Sequence, residues 1–176
     1  QMAAAGASVI AVDRSRARMA RLGENMDRLG IDATRIVADA ARWRPDQPVE
    51  AVLLDAPCSA TGTIRRHPDI QRLKSEADIA RLTAIQDRLL AAALDMLRPG
   101  GALVYCVCSL QPEEGEQRIA EFLAAGAPAK LVAIEAGDVA GQAAFLTTRG
   151  ELRTLPCHWA EWGGIDGFYA ARLRRL

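Results

Sequence analysis

Val49-Glu50-Ala51-Val52-Leu53-Leu54-Asp55 is a short apolar run that stops on an acid, and a polar, turn-rich loop follows it from Ala56 to about Asp69. A run of this length bounded by turn signals predicts a buried strand. The same pattern occurs twice upstream. Ser8-Val9-Ile10-Ala11-Val12 ends at Asp13, and the stretch from Thr34 to Ala38 ends at Asp39. Between them Met19, Leu22, Met26 and Leu29 recur at helical spacing from Ser15 onward, with Gly30 as the stop.

Downstream, Ala77 to Leu97 carries Ile79, Leu82, Ile85, Leu89, Ala93 and Met96, an amphipathic helix halted by Arg98-Pro99-Gly100-Gly101. Ala102 to Cys108 reads as a strand, Glu113 to Ala124 as a helix after Pro112, and Leu131 to Ile134 as a strand. Leu152 to Leu155 and Gly167 to Leu173 read as an antiparallel terminal pair. Strands alternating with helices imply an α/β fold with a mostly parallel sheet. In such sheets ligands lie across the carboxyl ends of the strands, which predicts that Asp13, Asp39 and Asp55 face one crevice. The plainer alternative is that each acid caps the turn that follows it.

Composition narrows the class. The chain has 176 residues, 50% of them apolar, and its 22 basic side chains balance 22 acidic ones. That profile excludes disorder and a disulfide-framed miniprotein, and its neutral charge does not advertise nucleic-acid binding. No apolar run spans a membrane and no signal peptide is visible, so a cytoplasmic setting is expected. The cysteines, Cys58, Cys106, Cys108 and Cys157, contain no CxxC pair, and no metal is expected. Nothing in the pattern specifies an oligomeric state. The opening Gln1-Met2-Ala3-Ala4-Ala5-Gly6-Ala7 reads as the tail of a helix begun earlier, and no Gly-rich turn precedes Asp13. The expectation is therefore a C-terminal part of one catalytic domain, lacking its first strand and Gly-rich loop, which alone binds cofactor weakly and is catalytically silent.

Two stretches carry chemistry: Asp55-Ala56-Pro57-Cys58-Ser59-Ala60-Thr61-Gly62, continuing to Asp69, and Tyr105-Cys106-Val107-Cys108-Ser109-Leu110-Gln111-Pro112-Glu113-Glu114-Gly115-Glu116. With Ala11-Val12-Asp13-Arg14-Ser15, Ala38-Asp39-Ala40, Leu97-Arg98-Pro99-Gly100-Gly101 and Gly164-Ile165-Asp166-Gly167-Phe168, they make the chain resemble the Sun/Fmu (RsmB-like) family of RNA 5-methylcytosine methyltransferases. The resemblance covers essentially the whole chain in order. It implies a Rossmann-like class I methyltransferase sheet, S-adenosylmethionine as cofactor, and ribosomal RNA of the small subunit as substrate. It also implies a separate, preceding RNA-binding region.

The residue types suit that chemistry. Carbon 5 of cytosine is a poor nucleophile until a thiolate adds to carbon 6, and release then requires loss of the carbon 5 proton. The resemblance makes Cys108 the nucleophile, Cys58 the group that assists release, and Asp55 the acid on the cytosine edge. It makes Asp13 the acid for the cofactor ribose and Asp39 the one near the adenine amine. A thiol of ordinary pKa is mostly protonated at neutral pH, so Cys108 needs help that the sequence does not identify.

Alternation along a strand would put Cys106 and Cys108 on one face; the family usually has Ser or Ala at Cys106, and a small buried residue is the expectation there. Arg65 and Arg66, with His67, suit phosphate contact or stacking beside a flipped-out base; the alternative is a solvated loop, or Arg pairing with Asp69 and neighbouring acids. Trp43, Trp159 and Trp162 read as structural anchors, Cys157 as a loop residue without a role, and Glu113, Glu114 and Glu116 as acids complementing a helix dipole. The rival readings are an NAD-type dehydrogenase, a DNA cytosine-5 methyltransferase with Cys58 as nucleophile, and a non-catalytic RNA-binding scaffold. The Cys108-Ser109 motif favours RNA over DNA.

Overall fold

The computed structural model describes residues 1–176, which form two compact units, Gln1–Pro45 and Asp46–Leu176. In the first, strand β1 (Ile10–Asp13) pairs in parallel with β2 (Thr34–Val37), from Ile10↔Thr34 to Asp13↔Val37. Helix α1 (Arg16–Leu29) connects them. It starts where the Ser15 hydroxyl accepts the Arg18 N–H and ends at Gly30, whose φ of 62° only glycine adopts cheaply. Its buried residues are Met19 and Gly23, and Ile10 stays 41% exposed. The first strand is thus present as expected but not buried, because one helix and one neighbouring strand are its only cover within the unit.

The second unit is built on a sheet ordered β3 (Val49–Asp55), β4 (Leu97–Val107), β7 (Phe168–Arg175) and β5 (Ala129–Val132), with β6 (Leu152–Thr154) also on β7. Strand β3 is parallel to β4, whereas β7 is antiparallel to β4, β5 and β6. Strands β3, β4, β5 and β6 therefore share one direction. The terminal pair expected from sequence exists, but its second arm is also inserted between β4 and β5.

The short helix α2 (Ile70–Leu73) precedes α3 (Glu76–Met96), which begins with a reciprocal cap between Ser75 and Asp78 and buries Leu82, Gln86, Leu90, Ala93 and Leu94. Of these, Leu90, Ala93 and Leu94 pack with Leu103, Tyr105, Val107, Ile119, Tyr169 and Leu173 in one apolar core. Each buried Leu there is worth roughly 1.5–3 kcal/mol. Arg98-Pro99-Gly100-Gly101 ends the helix as expected and continues as an irregular strand start. Pairing jumps from Val49↔Leu97 to Ala51↔Ala102, and Gly100 takes a φ of 77°.

The helix expected over Glu113–Ala124 is split. Pro112–Glu114 forms a 3₁₀ turn, Gly115 breaks it at φ −113° and ψ −109°, and α4 (Glu116–Ala124) follows. The break separates Glu114, which faces inward, from Glu116. What the sheet delivers to function is its edge: β3 and β4 end side by side at Asp55↔Cys106, and the two chemistry-bearing loops leave from there.

Candidate active site

Cys58 lies in the loop after β3 and Cys108 just past the end of β4; their Sγ atoms are 3.6 Å apart. Both thiols are free and half-buried. At that distance one thiol donates to the other, so a single proton holds the pair and only one sulfur can ionise easily. The electrostatics of the two surroundings favour Cys58 as the thiol that keeps its proton. Its bond to Cys108 and its burial push the Cys58 thiol far up, while the same bond and the Cys108 backbone N–H bring Cys108 down to about 7, against the opposing effects of burial and the Asp55 charge. This is the help for Cys108 that the sequence did not identify.

Cys106 behaves differently. It is 6% exposed, its Sγ is 3.9 Å from Asp55 Oδ1, and burial followed by the Asp55 charge raises it to about 12. The strand ends at Val107, so the alternation that would align Cys106 with Cys108 stops before it reaches Cys108. The small buried residue expected at Cys106 is what the structure contains.

The loop carrying Cys58 is held by Glu114, a side chain that sequence reasoning misread as a dipole-complementing acid. Glu114 is fully buried. Its carboxyl accepts the Ser59 N–H at 3.0 and 3.1 Å, the Ser59 hydroxyl at 2.6 Å and the Gln86 amide at 3.1 Å. Gln86 also donates to the Pro57 carbonyl at 2.9 Å, so both flanks of Cys58 are tied to one cluster. The Ser59, Thr61 and Ser109 hydroxyls link the two motifs at 3.1–3.3 Å. Arg153 donates to the Ser109 carbonyl at 2.6 Å and grips both Glu116 oxygens. The available signal was only the spacing of Glu114 from Cys108, which does not reveal burial.

A glycine seam closes the arrangement. Gly62 N–H donates to the Cys108 carbonyl and Gly167 N–H to the Gly62 carbonyl, at 3.0 and 2.8 Å. A Cβ on Gly62 would collide with the Gly167 carbonyl and sit 2.9 Å from that of Cys108. Beyond the seam, Arg65 and Arg66 project from the same loop. Arg66 pairs with Asp166 at 2.6 Å and holds its carboxyl below the usual range; Arg65 is 3.8 Å from Asp166 and donates to the Gly163 carbonyl. Both guanidiniums are exposed, and both are engaged with Asp166, an acid distant in sequence, rather than with the neighbouring Asp69.

The remaining predicted residues lie in the first unit. Asp13 ends β1 and Asp39 follows β2, so both sit at the carboxyl ends of parallel neighbours. Asp13 accepts the Ser15 N–H at 2.7 Å and both Arg18 Nε and Nη2 at 2.9 Å, and the Arg18 guanidinium holds its carboxyl below the ordinary range. Asp39 accepts the Ala41 N–H at 3.0 Å. Both acids therefore do cap their turns. A carboxylate with oxygens at a strand's end is also the acceptor type that ribose hydroxyls require, so the donor set fits a nucleoside cofactor.

The family model described as 16S rRNA methyltransferase RsmB/F matches residues 1–174. A protein named ribosomal RNA small subunit methyltransferase B from Pseudomonas syringae pv. tomato is 44% identical over 96% of the chain, and one of the same name from Erwinia tasmaniensis is 43% identical over 97%. The chain spans 37% of the length of each. Among solved structures, NSun6 from Pyrococcus horikoshii with SFG superposes with a TM-score of 0.77 at 28% identity, covering 96% of this chain and 41% of that one. A methyltransferase homolog protein from the same organism gives 0.72 at 26%, covering 96% and 53%. An rRNA methylase from Streptococcus thermophilus, at 0.55 and 11% over 96% of this chain and 74% of that one, shares the fold. With a Rossmann-like methyltransferase fold and its motifs in order, the chain belongs to the 16S rRNA methyltransferase RsmB/F family.

Proposed function

We propose that these residues serve an S-adenosylmethionine-dependent RNA methyltransferase that modifies carbon 5 of cytosine, with small-subunit ribosomal RNA as substrate. One observation carries the reading: two free, half-buried thiols whose Sγ atoms lie 3.6 Å apart where the parallel strands β3 and β4 end. The relatives' names support the ribosomal substrate. In this reading the 176 residues are the C-terminal part of a single catalytic domain, with RNA-binding and Gly-rich cofactor segments elsewhere in the polypeptide. No helix of the chain is long and apolar enough to cross a membrane, and the proposed substrate puts the protein in the cytoplasm.

The Cys108 thiolate adds to carbon 6 of the target cytosine, forming a C–S bond and moving electron density to carbon 5. Asp55, at the end of β3, hydrogen-bonds the cytosine edge and fixes the ring. S-adenosylmethionine, whose ribose Asp13 and adenine Asp39 would hold, would supply an electrophilic methyl group. After transfer, the carbon 5 proton leaves to a base and the C–S bond breaks. The Cys58 thiol donates a hydrogen bond to the Cys108 sulfur as it departs as thiolate, and so assists that step.

The test uses the natural gene product containing this chain, incubated with cofactor and ribosomal RNA substituted with 5-fluorocytidine. The fluorine cannot leave as a proton, so an adduct stable to denaturing electrophoresis is expected from the parent and none from Cys108→Ala. On ordinary RNA, Cys58→Ala should accumulate the adduct because release is slowed. Loss of the adduct in Cys58→Ala alone would transfer the nucleophile to Cys58 and revive a DNA-type mechanism. No adduct with any RNA would contradict the reading.

A further inference from the structure

Trp162 is 77% exposed, far beyond any other aromatic side chain. It is not a stray surface residue. Its ring is 5.9 Å from that of Trp159, which packs edge-on at 5.0 Å against Phe145, which in turn stacks on His158 at 5.1 Å. Phe145 is 7% exposed, so the row runs from the interior to solvent. The backbone is bent to present it: Trp159 sits at φ 55°, a left-handed conformation unusual for so bulky a residue, and Gly163 and Gly164 follow at 89° and 78°. Non-glycine residues persist in that region only where their surroundings over-determine them, and such places concentrate at functional sites.

The row ends beside the catalytic loop. Arg65, seven residues past Cys58, donates to the Gly163 carbonyl directly after Trp162, and its Cδ lines the space beside Gly164. Arg65 and Arg66 share the single carboxylate of Asp166, which leaves one positive charge in that cluster. Glu161 lies next to Trp162 in sequence, so charge alone does not select the partner; an exposed flat ring followed directly by the backbone carbonyl that holds the Arg65 guanidinium does. Stacking of a base on an aromatic face is sequence-tolerant and needs no preset hydrogen bonds.

We propose that Trp162 is a stacking platform for an unpaired nucleobase of the RNA substrate next to the target cytosine, with Arg65 contacting its phosphate. The inference rests on the RNA reading above. Binding of an unstructured oligouridylate to the natural gene product is measured by filter retention, beside the rate of 5-fluorocytidine adduct formation. Trp162→Ala should weaken binding roughly 5-fold or more and Trp162→Phe should recover most of it. Arg65→Ala should reduce the slope of log affinity on log salt by about 1. The pH dependence of Cys108 alkylation should be the same in Trp162→Ala, showing the thiol site undisturbed. Parental oligouridylate affinity in Trp162→Ala, with adducts still forming, would overturn the platform and leave the methylation reading standing. Failure of the parent to form any adduct would instead remove the reading on which the platform depends.

Discussion

The two acids of the first unit and the two thiols of the second are held in opposite ways. Asp13 and Asp39 are fixed by partners two to five residues away in sequence, Ser15, Arg18 and Ala41. Cys58 and Cys108 are fifty residues apart, and Ser59 is tied to Glu114 across fifty-five. The acids are therefore set by local turn chemistry and stay open to solvent. The thiols acquire their distance, and with it their unequal protonation, only when the whole sheet edge assembles. Cofactor-facing groups can be positioned cheaply, whereas a reactive thiol needs a folded surround.

The largest test of that contrast is Glu114→Ala. Removing the carboxyl leaves the buried Ser59 N–H with no acceptor and takes one partner each from the Ser59 hydroxyl and the Gln86 amide, a loss of about 3 kcal/mol seen as a lower urea midpoint. The thiols should separate, and Cys108 alkylation should lose its neutral midpoint. An unchanged midpoint would mean that the clamp is incidental. Gly62→Ala comes next, at about 1–3 kcal/mol, because the new methyl meets backbone rather than a yielding side chain. Gly137→Ala, where a Cβ would meet nothing within 4 Å, is the matched control and should leave the midpoint unmoved.

A smaller effect is expected on ionisation. In Cys58→Ala, Cys108 loses its thiol donor while burial and the Asp55 charge remain. Its ionisation should therefore climb from about 7 towards or beyond the ordinary thiol value of roughly 8.5. The sign for stability follows. A thiol depressed by folding adds stability that is full above the unfolded value of roughly 8.5 and drains as pH falls through about 7, so the parent's advantage over Cys58→Ala from this source should shrink across that window. The smallest effect belongs to the first unit. Arg18→Ala breaks only an exposed pair with Asp13, and its urea midpoint should coincide with the parent's. A clear drop there would show that the acids too depend on more than local bonds.

What could be read from the sequence divides along the same line. The helix start at Ser15, the stop at Gly30, the three strands ending near acids, and the helix read over Ala77–Leu97 and observed over Glu76–Met96 are local features, and local periodicity finds them. Asp13, Asp39 and Asp55 stood out because each sits at a strand end, and Cys58 and Cys108 because the two motifs that carry them resemble those of the family. Glu114 did not, because three acids after a proline look like a solvated helix start until Gly115 breaks the turn and sends one of them inward. The Gly62–Gly167 crossing and the insertion of β7 between β4 and β5 join residues about a hundred positions apart or distant strands, and no short-range pattern encodes them. Cys106 was resolved by one boundary: the strand stops at Val107.

The most direct test of the account is which thiol reacts. Iodoacetamide labelling of the natural gene product across pH, read peptide by peptide so that exposed Cys157 is counted apart, follows each thiolate separately. Cys108 should label first among Cys58, Cys106 and Cys108, with a midpoint near 7. Labelling of Cys58 ahead of Cys108 would contradict the assignment of the nucleophile.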